Sequence, residues 1–297
     1  MNKFKFKKID AFTTGSSTGN PAGAVYLDSC GDITAEEMQR IARELKGFVS
    51  EVGYVRRIDS ATFGLKYYSS EREVEFCGHA TIAILYDLIK NDPDLIKREL
   101  VHIVTNKGKL VVENRISRED AVFITSPKPV FSSKEIPRAR IAEAFHIDGQ
   151  ELGGGFPVSV VNAGLETLIV PLRELKAVLS LGPDLAELRD FCVMHSVDII
   201  TVFTDETADG GNRYRTRVFA PTFGYLEDPA TGSGNSALGY YLMKNERWDG
   251  KSFSLEQNGS MDNPNIVKLT TSNDEDGSTR VLFGGGARVR ISGFYTM

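Results

Sequence analysis

The sequence is poor in the residues that tie a fold together covalently or through metal ions. It has three cysteines, Cys30, Cys77 and Cys192. They are far apart and include no C-x-x-C pair, which argues against a disulfide framework or a cysteine zinc site. The four histidines, His79, His102, His146 and His195, fall at no ligand-like spacing. The expectation is a chain with no metal and no cofactor. Nowhere is there the run of about eighteen apolar residues that a membrane helix needs. The start, Met1 to Lys8, alternates phenylalanine with lysine and leads into no secretory apolar stretch. Positive charge is not in excess: 35 Lys and Arg against 40 Asp and Glu leave −5. A nucleic-acid binder announces itself with a basic stripe instead. These absences leave a reduced, cytoplasmic protein with no nucleic-acid or membrane partner.

The 297 residues suggest two domains at about 150 residues each. Phe4, Phe6 and Ile9 run into a polar turn, Thr13 to Pro21, and Ala22 to Leu27 reads as a buried strand. Asp32 to Leu45 has helical spacing, with Thr34 and Glu37 as a capping box. Glu51 to Arg56 and Ala61 to Tyr68 are strand-like. From Cys77 a helix is expected through Leu88, small and apolar on nearly every face, which is the pattern of a buried helix.

That helix has a second copy. Cys77-Gly78-His79-Ala80-Thr81-Ile82-Ala83-Ile84-Leu85-Tyr86-Asp87-Leu88 aligns with Thr231-Gly232-Ser233-Gly234-Asn235-Ser236-Ala237-Leu238-Gly239-Tyr240-Tyr241-Leu242, 231 − 77 = 154 positions on. Asn20-Pro21-Ala22-Gly23 before a strand is echoed by Asn162-Ala163-Gly164. The helix and strand of Asp32 to Val55 are echoed by Leu185 to Phe203. Two similar halves follow, each mostly strands around one buried helix, meeting near Ser126-Pro127-Lys128-Pro129. Thr279 to Tyr295 reads as two strands around Gly284-Gly285-Gly286, after a turn at Asn273 to Gly277.

Two motif matches fail on context. Gly15-Ser16-Ser17-Thr18-Gly19 fits a nucleophile elbow, but Asn20-Pro21 and a strand follow it where a helix is required. Gly232-Ser233-Gly234-Asn235-Ser236-Ala237 fits the dinucleotide fingerprint, but no strand ends at its first glycine. The two helix starts, with small residues and exposed backbone N–H groups, suit an anion such as a substrate carboxylate. The alternative is that both glycines only permit close packing. Glu51, His79 and Asp228 lie at or near these starts. A carboxylate in apolar surroundings has its pKa raised toward neutrality and suits proton transfer. The plainer readings make Glu51 a surface charge at a strand end, Asp228 a helix N-cap and Cys77 a small core residue.

Gly19-Asn20-Pro21-Ala22-Gly23, Ser50-Glu51, Phe76-Cys77-Gly78-His79-Ala80-Thr81, Glu227-Asp228-Pro229-Ala230-Thr231-Gly232-Ser233, Glu256-Gln257 with Met261 and Pro264, and Gly285-Gly286-Ala287 occur in this order. Together they resemble the PhzF-like phenazine-biosynthesis family, within the diaminopimelate-epimerase superfamily. The resemblance covers essentially the whole chain. It implies an α+β fold of two similar diaminopimelate-epimerase-like domains, each a curved or barrel-like sheet around a central helix, with the active site between them. The domains would be 1–126, joined by the tail from about 283 to 297, and 127–282. It implies a cofactor-independent isomerase that moves a proton within a small acidic metabolite, dihydro-hydroxyanthranilate-like or amino-acid-derived, and a homodimer.

By the same resemblance Glu51 falls where the family keeps its proton-shuttling glutamate, and His79 and Asp228 fall at assisting positions. The substrate-contacting set is Asn20, Gly78, Thr231, Gly232 and Ser233. The related epimerases use two cysteines as a matched acid and base. Cys77 fills the first of those positions and Thr231 the second, and a hydroxyl is too weak an acid or base for that work. One-carboxylate isomerisation is therefore favoured over an amino-acid epimerase or racemase relying on Cys77. A non-catalytic metabolite-binding module is the third reading. Ser50-Glu51-Val52 differs from the family's more usual S-E-T, which bears on the substrate rather than the chemistry.

Overall fold

Lysine and phenylalanine alternate from Lys3, so the strand they form has one apolar side, with Phe4 and Phe6 buried and Lys3 and Lys5 exposed. A computed structural model describes residues 2–27, 33–153 and 155–297. The chain divides into two units, Met1–Ile124 with Gly284–Met297, and Thr125–Phe283. Cys30 and the expected helix start at Asp32 lie outside the described residues.

The first unit contains β1 (Lys3–Ala11), β2 (Asn20–Leu27), α1 (Ala35–Glu44), β3 (Glu51–Arg57), β4 (Thr62–Ser69), β5 (Glu73–Val74), α2 (Gly78–Lys90), β6 (Leu100–Thr105), β7 (Gly108–Asn114), the short α3 (Ile116–Glu119) and β8 (Val122–Thr125). The capping box at Thr34 and Glu37 is formed, with both reciprocal hydrogen bonds in place. Such a cap is worth about 1 kcal/mol. The helix it opens begins at Ala35 and buries Met38, Ile41 and Ala42 against Phe4, Phe6, Val25 and Val52. β2 and β3 are parallel, with α1 as the crossover; β4 and β6 are parallel, with α2 as the crossover. The remaining pairings, β1–β2, β3–β4, β4–β5, β6–β7 and β7–β8, are antiparallel.

The sheet carries α1 on one face and α2 on the other. α2 packs on β1, β2 and β3 and is buried from Ala80 to Asp87. The approach is close at Gly53, where a Cβ would lie 2.4 Å from the Ile84 methyl. The last strand of the chain also serves this unit. It pairs with β1 from Lys3↔Thr296 to Ala11↔Ala287.

The second unit repeats the plan. After β9 (Val130–Phe131) and α4 (Arg138–Phe145) come β10 (Ser159–Asn162), β11 (Glu166–Pro171), α5 (Leu175–Ser180), α6 (Leu185–His195), β12 (Ile199–Thr204), β13 (Arg215–Phe219), β14 (Glu227–Asp228), α7 (Gly232–Lys244), β15 (Phe253–Gln257) and β16 (Asn265–Asn273). β11 and β12 are parallel around α5 and α6, and β13 and β15 are parallel around α7. α7 packs on β10, β11 and β12, as α2 does on its three strands. α4 and α6 cover the other face with Ile141, Phe145, Leu188 and Phe191. The expected acidic turn closes through Asp274 N donating to Ser278 O at 2.9 Å. β17 (Thr279–Gly285) and β18 (Ala287–Thr296) follow it.

The 154-residue shift holds at the level of geometry. α2 and α7 have 13 residues each, and both are followed by an asparagine cap, Asn91 and Asn245. Strand registers extend the correspondence. Ala22↔Glu51 in one unit matches Thr167↔Ile199 in the other. That register sets Leu165, two residues before Thr167, opposite Asn20, so the expected echo of Asn20 in Asn162 is corrected. Asn162 instead ends β10. The fold is α+β, and no helix among the described residues is long and apolar enough to cross a membrane.

Candidate active site

In the first unit, parallel pairing brings the start of β3 beside the start of β2, so Ser50 Oγ donates to Asn20 Oδ1 at 3.2 Å. Asn20 is fully buried. Glu51, the next residue, opens β3 and is not the surface charge of the plainer reading, because its side chain is only 20% exposed. Its Oε2 lies 3.2 Å from His79 Nε2 and 3.9 Å from Cys77 Sγ. His79 occupies the first turn of α2, and Cys77 precedes the helix as its N-cap without capping it through the side chain. Cys77 Sγ is 3.5 Å from His79 Nδ1.

Burial pushes the His79 pKa down to about 4. At neutral pH the imidazole is therefore uncharged, with its Nε2 3.2 Å from the Glu51 carboxylate. A neutral imidazole beside a carboxylate does not quench its charge, which leaves Glu51 suited to accept a proton. Glu51, Cys77 and His79 offer a carboxylate oxygen, a sulfur and a ring nitrogen, all within 4.8 Å of one another. Among the described residues no other group of three or more such side chains is gathered so closely. Gly78 opens α2 between the two, with no acidic residue in that first turn.

In the second unit, Asp228 ends β14, pairs with Val218 and accepts a hydrogen bond from Thr231 Oγ1. It is not the helix N-cap of the plainer reading. Thr231 holds that position, with φ and ψ of −124° and 115° against −132° and 109° at Cys77. Gly232 and Ser233 begin α7. Close packing accounts for Gly232 by itself, since a Cβ there would meet the Phe283 ring at 2.3 Å.

The loop from Asp228 to Thr231 is pinned by Gln257. Its Oε1 accepts from Thr231 N at 2.9 Å and from Asn235 Nδ2 at 2.6 Å. Its Nε2 donates to Asp228 O at 2.8 Å and Thr231 Oγ1 at 3.0 Å. All four bonding positions of the amide are used. Asn265 Nδ2 holds Pro229 O at 2.7 Å. Beside Gln257, fully buried Glu256 pairs with fully buried Arg215 at 2.8 Å.

Residues 9–293 match the family described as phenazine biosynthesis-like protein, PhzC-PhzF. The chain belongs to the PhzF family. An uncharacterized isomerase of Bacillus subtilis, YfhB, is 30% identical over 291 residues, 97% of each chain. The trans-2,3-dihydro-3-hydroxyanthranilate isomerase of Pseudomonas aeruginosa is 28% identical over 82% of this chain and 81% of its own. A PhzF-family crystal structure from Bacillus anthracis superposes over 100% of both chains with a TM-score of 0.86 at 24% identity. As a PhzF-family member with relatives that are named isomerases, the protein is an isomerase.

Among the residues singled out in the sequence of this PhzF-family isomerase, Asn20, Glu51, Gly78 and His79 gather in the first unit. Asp228, Thr231, Gly232 and Ser233 gather in the second. Cys77, weighed as an alternative, proves to touch both Glu51 and His79. The structural parts of Gln257, Asn265, Glu256 and Arg215 do not show in the sequence, because their partners lie 22 to 48 residues away.

Proposed function

We propose that this isomerase moves a proton between two carbons of a small, carboxylate-bearing metabolite, cyclic or amino-acid-derived, with Glu51 as the one group that takes and returns it. The observation that carries this reading is the 3.2 Å contact between Glu51 and a neutral, buried His79. A positioned carboxylate with a neutral imidazole beside it is suited to accept a carbon acid's proton and hand it back. His79 orients the carboxylate, and Asp228, with Thr231, takes the assisting role. Gly78, Gly232 and Ser233, at the two helix starts, supply N–H groups for the negative charge that builds on the substrate carboxylate. Asn20 contacts substrate or holds Ser50 beside Glu51. The similarity to a dihydro-hydroxyanthranilate isomerase supports a ring acid as substrate. The reaction as proposed uses only groups of the chain, in a cytoplasmic homodimer.

The test is solvent exchange. In deuterium oxide the wild-type protein labels a turned-over acid, and Glu51→Gln lowers labelling by about 10²–10⁴-fold, the usual contribution of a positioned acid–base group. Undiminished labelling would remove Glu51 from the mechanism. Epimerisation through Cys77 is the second reading, favoured by the 3.5 Å contact between its thiol and His79. Opposing it, the equivalent place in the second unit holds Thr231, which leaves no second thiol.

A further inference from the structure

The three side chains grouped at the start of α2 also have the chemistry and spacing of a metal-ligand set. Zinc holds sulfur at about 2.3 Å and imidazole nitrogen or carboxylate oxygen at about 2.0–2.2 Å, so its tetrahedra have ligand–ligand edges of about 3.3–3.6 Å. Glu51 Oε2 and His79 Nε2 are 3.2 Å apart, and Cys77 Sγ is 3.9 Å from each. Cys77 Sγ also lies 3.5 Å from His79 Nδ1, so a change of Cys77 rotamer has to carry the sulfur to the Nε2 side of the ring. The ligands sit on rigid elements, one at the start of β3 and two flanking the first residue of α2. Side-chain exposures of 20% for Glu51 and 10% for His79 leave the ion a way in.

We propose that one zinc ion binds Glu51 Oε2, Cys77 Sγ and His79 Nε2, with water in the fourth position, and that it reversibly switches the isomerase off. Sulfur and imidazole select zinc against magnesium and calcium, which prefer oxygen alone. On binding, the Cys77 thiol gives its proton to solvent, and the imidazole takes the tautomer protonated at Nδ1, leaving the Nε2 lone pair for the metal. Zinc on Oε2 draws the carboxylate's charge to the metal and leaves Oε1 a much weaker base for the substrate. Metal binding stands on the geometry; the inhibition rests on the proposed role of Glu51.

Cobalt(II) is the probe, added to the whole metal-free chain. One equivalent produces a thiolate-to-cobalt charge-transfer band, which zinc then displaces. Cys77→Ala and the near-isosteric Cys77→Ser both erase the band. His79→Gln weakens binding by at least the roughly 10–100-fold that loss of even an outer-shell partner costs. No band in folded wild-type protein, or a band that survives in either Cys77 variant, overturns the site. One equivalent of zinc stops deuterium exchange, and a chelator restores it. If the band forms as expected but zinc leaves exchange unchanged, the metal site stands and the role given to Glu51 fails.

Discussion

The helix starts of α2 and α7 share a backbone and differ in chemistry. Both follow a residue in the same extended conformation, both run 13 residues, and both carry the same side-chain bond one turn in. Thr81 Oγ1 donates to Cys77 O at 2.7 Å, and Asn235 Nδ2 donates to Thr231 O at 2.8 Å. Around this common frame Glu51, Cys77 and His79 gather in the first unit, and Asp228 stands beside Thr231 in the second. By register Ile199 is the counterpart of Glu51 in the repeat, and by the 154-residue shift Thr231 is the counterpart of Cys77 and Ser233 of His79.

The clamp has the opposite distribution. The β13–β15 and β4–β6 registers set Gly64 and Val104 opposite Arg215 and Glu256, and Thr105 opposite Gln257. One unit carries reactive side chains on a plain support. The other carries Asp228 and hydroxyl side chains on a heavily hydrogen-bonded one. An internal repeat thus yields two versions of one scaffold, with reactivity and rigidity separated between them.

The sharpest way to break that contrast is Glu51→Gln, which removes the reactive member and is expected to have the largest effect, the exchange loss given above. Next comes Glu256→Gln in the second unit. It strips a charge from a buried pair and is expected to cost about 3–5 kcal/mol in urea unfolding. Burial alone would push the Glu256 carboxyl up. Hydrogen bonds from Ala208 N, Asn212, Asp209 N and Arg215 outweigh it and hold the pKa below the ordinary glutamate value. The stabilisation is therefore present above that ordinary value and lost as pH falls below it, through the lowered pKa. The gap between wild type and Glu256→Gln should narrow on acidification across that range. A gap that stays constant would deny the carboxylate its part.

Gln257→Leu leaves buried donors and acceptors around Asp228 and Thr231 unpaired, at about 1–3 kcal/mol for each group so stranded. Thermal unfolding measures that loss. Slowed exchange at a temperature where the variant is fully folded would show that the clamp also serves chemistry. The smallest effect is expected for Cys77→Ala, which should keep deuterium exchange within about tenfold of wild type, since a merely neighbouring thiol contributes less than an acid–base group. Loss on the scale of Glu51→Gln would favour the epimerase reading.

The features legible in the sequence were the local ones. The capping box at Thr34, the all-round apolar pattern of α2 and its second copy each lie within a dozen or so residues, where period and spacing speak directly. The family motifs supplied the roles proposed for Glu51, His79 and Asp228. The plainer N-cap alternative for Asp228 fails because its place on β14 depends on pairing with Val218, ten residues back and beyond a turn. The Arg215–Glu256 pair and the four bonds of Gln257 were invisible for a related reason. Nothing near Arg215 in sequence distinguishes it from an exposed arginine. Its burial is decided by β13 lying parallel to β15 across the whole of α7.

The pairing of β1 with β18 has a consequence for how the chain is made. The second unit is one continuous stretch, Thr125–Phe283, whereas the first needs both ends of the chain. During synthesis the second unit has all its residues while Lys3 to Ala11 still lack the strand that flanks them. The half that carries Glu51 is thus the last to be completed on the ribosome, and its first strand keeps an open edge for a chaperone until translation reaches Thr296.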